Sequence, residues 1–496
     1  MEASSDHFIV LGNSSAGNLR RVSEQLERYD RAMGILTGIT AEKPSPSNRV
    51  TIYIVGSEEE VRKLLMDKKE KYAAGFYRSQ AGGSLAVIPP VTAGLSGTVD
   101  WPMFVLLHEY AHHFLISNSS FPSPRWMQEG AAEFFGSAKF GTDGSVGLGL
   151  PAQHRAAELV MAADVTVTDL LDPDAYEKRR GNSTRYDDFY GKAWLLYHYL
   201  TFEPSRRGQL TAYGNALIAG KTQVEAAHAA FGDFAKLEKE LDGYLFRSQM
   251  SYLKLPAEAV QPGPISVRPL SPGESAVMPL LIRSKAGVNT ETAPVVLQGV
   301  LALAERFPDD PAVLSELAEA QHDAGHEEAA IKAADAAIRL NPHAVNAFVQ
   351  KGYAWLTLGE RTHDAADFGE ARSAFRQLNA FENDNPIALV GFFRSIVRQG
   401  ITPTANAVRA LEKAVLLAPF DMGLRVTIAM QELRDHKPDM ARSFLLPVAY
   451  NPHGGHLADY ARQVLARIEQ DRNWDGSGLP PPTDQSADPS AARTGS

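Results

Sequence analysis

Five prolines in the C-terminal part of the chain, Pro308, Pro342, Pro386, Pro419 and Pro452, recur with a period near 34, and the interval after Pro342 is the longer one. A single compact core does not generate a period of this length. It marks a unit stacked on copies of itself, each burying its apolar face against the next. The stretch 311–342 shows what that unit is. Leu314, Leu317, Gly325, Ala330, Ala337 and Pro342 fall at the offsets of two amphipathic helices joined by a tight turn. Small residues recur because two helices approach closely only where side chains are short. The next unit carries Phe348, Gly352, Trp355 and Gly359, then Ala374 and Pro386. Its longer interval predicts an insertion of roughly ten residues. Phe392, Ala407, Ala414 and Pro419 mark a third unit, and a fourth is degenerate.

Such a period resembles that of tetratricopeptide repeats. Residues 291–471 are therefore read as an all-α, tetratricopeptide-like solenoid, and no catalytic constellation is found in them. Its expected role is to recruit a protein partner or present a substrate. Residues 472–496, rich in Pro, Ser, Asp and Gly, are expected to be a disordered tail. Prolines and glycines between 256 and 290 predict a strand-bearing connector. Upstream, 7–11 and 50–55 read as strands, 16–36 and 57–66 as helices, and 74–79 with 84–88 as a hairpin around Gly82-Gly83. Helical patterns dominate from 99 to 250, broken by a Gly-rich hairpin or loop at 136–150. Residues 1–255 thus form an α+β domain with a small mixed sheet and helices beside it.

The chain contains no cysteine, which excludes disulfides, thiol catalysis and Cys-based zinc ribbons. Any metal site must be built from His, Asp and Glu. A formal charge of -10 argues against nucleic acid as a partner. No apolar run approaches the roughly 20 residues of a transmembrane helix. The opening MEASSDHFIVLGN has no basic segment followed by an apolar one. That pattern fits a cytoplasmic protein, or a periplasmic or secreted one whose signal peptide has been removed.

The sharpest chemical signal is FVLLHEYAHHF at 104–114. On a helix, His108 and His112 lie about 40° apart on one face, so both imidazoles can bind one metal ion. Glu109 is rotated by about 100° from His108, toward where a general base acting on metal-held water belongs. Asp100 and Pro102 suit the start of that helix. A second helix follows in SPRWMQEGAAEFF, with Ser123 as N-cap and Pro124 in the first turn. Glu129 and Glu133 share one of its faces. Glu129 is read as the third ligand of a Zn2+ ion, and Glu133 as a hydrogen-bond acceptor that fixes a ligand histidine. Gly130 is expected to let the two helices approach. His113 points away from the ligand face, and His154 has no partner by spacing.

HEYAH followed by WMQEGAAEFF resembles the gluzincin zinc metallopeptidases, and is most similar to bacterial peptidase MA-like domains. The likeness covers roughly residues 5–250, with its strong motifs in 104–135. The interval from His112 to Glu129 is slightly shorter than in thermolysin, a member of the group. The resemblance implies a zincin-like domain, with His108, His112 and Glu129 as ligands and Glu109 as base. It also implies an oxyanion-stabilising Tyr or His from a later helix. Tyr186, Tyr190 and His198 in YDDFYGKAWLLYHYL are the candidates, and Tyr190 is preferred because it precedes a buried run. Strand 84–88 stands where zincins present an edge to an extended peptide, and it reads equally well as a strand internal to the sheet.

Two functions follow. One is a zinc-dependent peptidase, acting on a peptide or protein, with repeats for recruitment. The other is a non-catalytic interaction protein with a structural or retired zinc site. The base at Glu109 favours the former, because a structural zinc site has no use for it.

Overall fold

The computed structural model describes residues 1–40, 42–65, 75–91, 98–118, 123–181, 185–451 and 454–480. Pro452 and the tail beyond 480 lie outside the described residues. The chain is mostly helical with a small mixed sheet. The strands are β1 (Glu2–Ser4), β2 (Phe8–Gly12), β3 (Val50–Ile54), β4 (Phe76–Arg78), β5 (Leu85–Ile88), β6 (Lys139–Phe140), β7 (Val146–Leu148), β8 (Leu253–Leu255) and β9 (Ser266–Arg268). Six of them form a sheet in the order β4-β5-β3-β2-β1-β9. Its centre, β2, β3 and β5, is parallel, with Ile52 opposite Val10 and Ala86. The Gly-rich stretch at 136–150 is a hairpin of β6 and β7, joined by β8 into a second, antiparallel sheet.

The first four helices are α1 (Ala16–Thr37), α2 (Glu58–Leu65), α3 (Trp101–Asn118) and α4 (Arg125–Gly136). The side-chain period of two decides which layer each strand residue joins. Ile52, Ile54, Ala86 and Ile88 pack with Leu26 and Met33 of α1 and with Leu106, Leu107 and Phe114 of α3. Tyr53, Leu85 and Val87 turn to the opposite face, where they meet Val61 and Leu64 of α2 and Ile282.

Ile282 belongs to a helix, Pro272–Ala286, that lies inside the expected connector. That correction has a physical reason. Ser271 accepts from the Glu274 N–H in a capping box, and Pro272 and Gly273 occupy the first turn, so these residues start a helix instead of breaking one. The same stretch supplies β9, which pairs with β1 and completes the sheet edge. Residues 256–290 therefore carry the expected strand, β9, and also a helix that packs on the sheet through Ile282 and on the following helices through Leu280. Of the two readings of strand 84–88, the structure has the internal one: β5 has β3 on one side and β4 on the other and no free edge.

The repeats are antiparallel helix pairs: Pro311–Asp323 with Glu327–Leu340, Val345–Thr362 with Ala365–Phe381, Pro386–Val397 with Ala405–Leu417, and Met422–Arg434 with Pro438–Ala449. The expected insertion is not a loop. It lengthens the second pair to helices of 18 and 17 residues. A final helix, His456–Gln470, covers the last pair. The expected tail is ordered at its start, because Trp474 is 9% exposed and packs on that last cluster together with Leu479.

The array does not hang free of the first domain. Ser47 donates through its N–H and hydroxyl to Glu382 (3.0 and 2.8 Å), and the Ala81 N–H donates to Asp421 (2.9 Å). Asn48 donates to the Leu417 carbonyl (2.7 Å), and Gln128 of α4 to the Tyr450 carbonyl (3.0 Å). His113 of α3 lies 4.2 Å from the Phe420 ring. Because Ile282 is 2% exposed against the sheet, Ile282→Ala should cost the full chain about 2–5 kcal/mol in denaturant unfolding. A loss within the roughly 0.5 kcal/mol of a surface substitution would mean that this helix is only a spacer.

Candidate metal centre

Helix α3 is apolar on nearly every side and is held on several. Asp100 caps it by accepting from the Met103 N–H (3.1 Å). Tyr29 of α1 donates to the Leu107 carbonyl (3.0 Å), and the Tyr110 hydroxyl donates to Asp30 (2.6 Å). Helix α4 begins one residue later than expected, with Pro124 at the cap and no contribution from the Ser123 side chain. Its glycines set two close approaches. A Cβ on Gly130 would stand 2.4 Å from the Ala193 carbonyl oxygen, so this glycine admits helix Phe189–Phe202 rather than α3, a correction. Gly136 is the one that lets α4 meet α3, with Phe104 at 2.9 Å and the His108 Cβ at 3.4 Å from its would-be Cβ.

This packing brings His108, His112 and Glu129 together, all three buried. Their Nε2, Nε2 and Oε2 atoms form a triangle with sides of 3.2 Å (His108–His112), 3.4 Å (His112–Glu129) and 3.6 Å (His108–Glu129). Three ligands of a tetrahedral zinc, at about 2.0–2.1 Å from the ion, stand about 3.3 Å apart. The donor set and its spacing therefore fit Zn2+ with three protein ligands. Among the described residues this is the one such cluster of His and carboxylate groups.

Glu133, one turn along α4, lies 3.5 Å from His108 Nδ1, but that nitrogen makes no hydrogen bond among the described residues, so the expected bond to the ligand histidine is not formed. The firm partners of Glu133 are His154, whose Nε2 is 2.7 Å from one oxygen, and Arg155, which donates to the other at 2.6 Å. Complete burial on its own would raise the Glu133 pKa. The His154 hydrogen bond and the charges of Arg155 and His108 bring it down to about 2 instead. His154, which spacing left without a partner, is thus part of the site. A Glu and a His 21 residues apart with a hairpin between them leave no periodic signal to find. Glu109 is partly exposed, and its charge acts on His108 and on the Tyr77 hydroxyl of β4.

The three oxyanion candidates separate cleanly. His198 is wholly buried, between the Tyr244 hydroxyl (2.8 Å) and the Gly149 carbonyl (3.0 Å), and burial lowers its pKa to about 4. Tyr186 is exposed and bonds to Glu158. Tyr190 is half-buried, and burial and the charge of Glu129 raise its pKa while the charge and hydrogen bond of Arg125 lower it. The Arg155 guanidinium lies 4.9 Å above the Tyr190 ring. Arg125, one turn before Glu129 on α4, was not singled out from the sequence. Its guanidinium sits 4.3 Å over Phe189 and 5.9 Å from the Tyr190 ring. His113 is a packing residue, its pKa lowered to about 3 by burial.

No family model matches this sequence, and no curated protein does. Among solved structures, the MamA RS-1 ArsTM double mutant is 14% identical with a TM-score of 0.28, over 40% of this chain and 94% of that one. A crystal structure of MamA gives 14% and 0.28, over 41% and 99%. MamA 41-end from Desulfovibrio magneticus RS-1 gives 16% and 0.27, over 40% and 95%. Scores this low carry no argument, and the helix pairs described above stand on this chain's own structure.

His154→Ala removes one of the two groups that hold Glu133 without touching the triad. Zinc affinity, measured by competition with a chromophoric chelator, should fall by about 10–100-fold. Unchanged affinity would show that Arg155 alone is enough to place Glu133.

Proposed function

We propose that the chain is a zinc-dependent peptidase, with the helical-repeat array as its surface for a protein partner or substrate. The observation that carries this reading is the buried His108–His112–Glu129 triangle at tetrahedral spacing, with Glu109 next to His108. Zinc at this place supplies Lewis acidity toward water and toward a carbonyl oxygen. Glu109 takes the proton of the attacking water and hands it to the departing amine. The Tyr190 hydroxyl donates to the carbonyl oxygen as charge builds on it. Glu133, held by His154 and Arg155, stands 3.5 Å from His108 Nδ1, where its negative charge favours a ring that carries a positive ion on its other nitrogen. Among the described residues no helix is long and apolar enough to cross a membrane.

The helical-repeat array favours a second reading, an interaction protein whose zinc site is structural or retired. Stacked helix pairs present extended surfaces to partners whatever the first domain does. The two readings differ at Glu109. In the zinc-loaded full chain, Glu109→Gln should keep its metal and its thermal stability. Hydrolysis of a diverse peptide library should fall by roughly 10²–10⁴. Full chelator-sensitive activity in that variant would remove Glu109 from the mechanism, and a zinc-loaded parent that cleaves nothing would favour the interaction protein.

A further inference from the structure

Arg125 is a partly buried cation with no carboxylate in ion-pair distance among the described residues, and its Nε has no hydrogen-bond partner there. Phe189 supports one face of the guanidinium, which hydrogen-bonds with Tyr190 and whose charge acts on Glu129. Arg155, by contrast, is neutralised by Glu133 and Glu158. A guanidinium that has no anionic partner in a partly buried wall is costly unless something anionic arrives to meet it.

We infer that Arg125 is a substrate-binding residue that receives the C-terminal carboxylate of a peptide, which makes the enzyme a carboxypeptidase. The inference rests on the peptidase reading and adds the substrate class. Arg125 lies four residues before Glu129, about 6 Å along the helix axis. A substrate carbonyl held at the metal is followed, about one residue or 3.8 Å further on, by the carboxylate of the last residue. A planar guanidinium binds a carboxylate through two parallel N–H···O bonds, and the Tyr190 ring lies 5.9 Å from the Arg125 guanidinium. One water is consumed. Its oxygen bonds to the carbonyl carbon, the C–N bond breaks, and the amine of the released amino acid takes the proton carried by Glu109.

The test uses zinc-loaded full-length protein and one mixed pool of N-acetylated tetrapeptides, prepared once with free C-terminal acids and once as C-terminal amides. Mass spectrometry should show loss of the single last residue from the acids and little cleavage of the amides. Equilibrium dialysis of the same pools against E109Q, which binds without turnover, should retain the acids about 10–100-fold better than the amides, the usual worth of a charge-assisted pair. Arg125→Gln in that background should abolish the preference, and Arg125→Lys should restore part of it. Zinc content and melting temperature report whether each variant is folded. Cleavage of acids and amides alike at internal bonds would overturn the role of Arg125 while leaving the peptidase reading intact. Arg125-dependent cleavage of amides beside internal Asp or Glu would assign the arginine to a side-chain carboxylate and overturn the C-terminal assignment. No cleavage of either pool, together with equal retention of acids and amides, would remove the inference and the peptidase reading together.

Discussion

Two carboxylates, Glu129 and Glu133, are completely buried on one face of α4, in contact distance of the histidines of α3. An ionised carboxylate in such a place is strongly unfavourable unless opposite charge surrounds it. The local structure answers that requirement twice. Glu133 is met by Arg155 and His154 on the segment that follows the β6–β7 hairpin. Glu129 faces two imidazole nitrogens and feels the charge of Arg125, and a dication between them would complete the compensation. The hairpin, the two glycines that bring three helices together and the capping of α3 all serve to hold these groups at ligand distance.

The rest of the molecule makes that arrangement stiff. Helix α3 has the sheet on one side and α4 on another. On a third, the repeat array touches it through His113 and Phe420 and through the Arg425 donor to the Ile116 carbonyl (3.5 Å). Helix Pro272–Ala286 packs on the outer face of the sheet, and its Lys285 reaches Glu319 of the first repeat at 2.8 Å. Part of the array's surface is therefore used within the chain, as a brace for the domain that carries the triad.

The sequence was most legible where a period or a short motif carried the information. His108 and His112 are four apart, the repeats recur with a regular period, and Asp100 caps α3, all of which are local patterns. What it hid was non-local. His154 reaches Glu133 across a hairpin, Arg125 matters only because Phe189 folds against it, and β9 finds β1 from the opposite end of the first domain. The helix at 272–286 was masked by its own prolines and glycine, which act as helix starters once Ser271 caps them. Trp474 was hidden inside a polar, Gly-rich stretch whose composition resembles a tail, although one large apolar side chain is enough to dock it. Strand β5 could not be told from an edge, because nothing in its own residues records that β4 closes the sheet beside it.

The central claim is that α3 and α4 hold one zinc ion through two imidazoles and one carboxylate, with a fourth position open. X-ray absorption at the zinc edge of the metal-loaded full chain tests it most directly. The account predicts one zinc per chain, with the multiple-scattering pattern of two imidazoles at about 2.0–2.1 Å and two further oxygens at about 2.0–2.2 Å. One of those oxygens should vanish in Glu129→Ala. A spectrum with a single imidazole, with oxygen ligands alone, or identical in wild type and Glu129→Ala would contradict it.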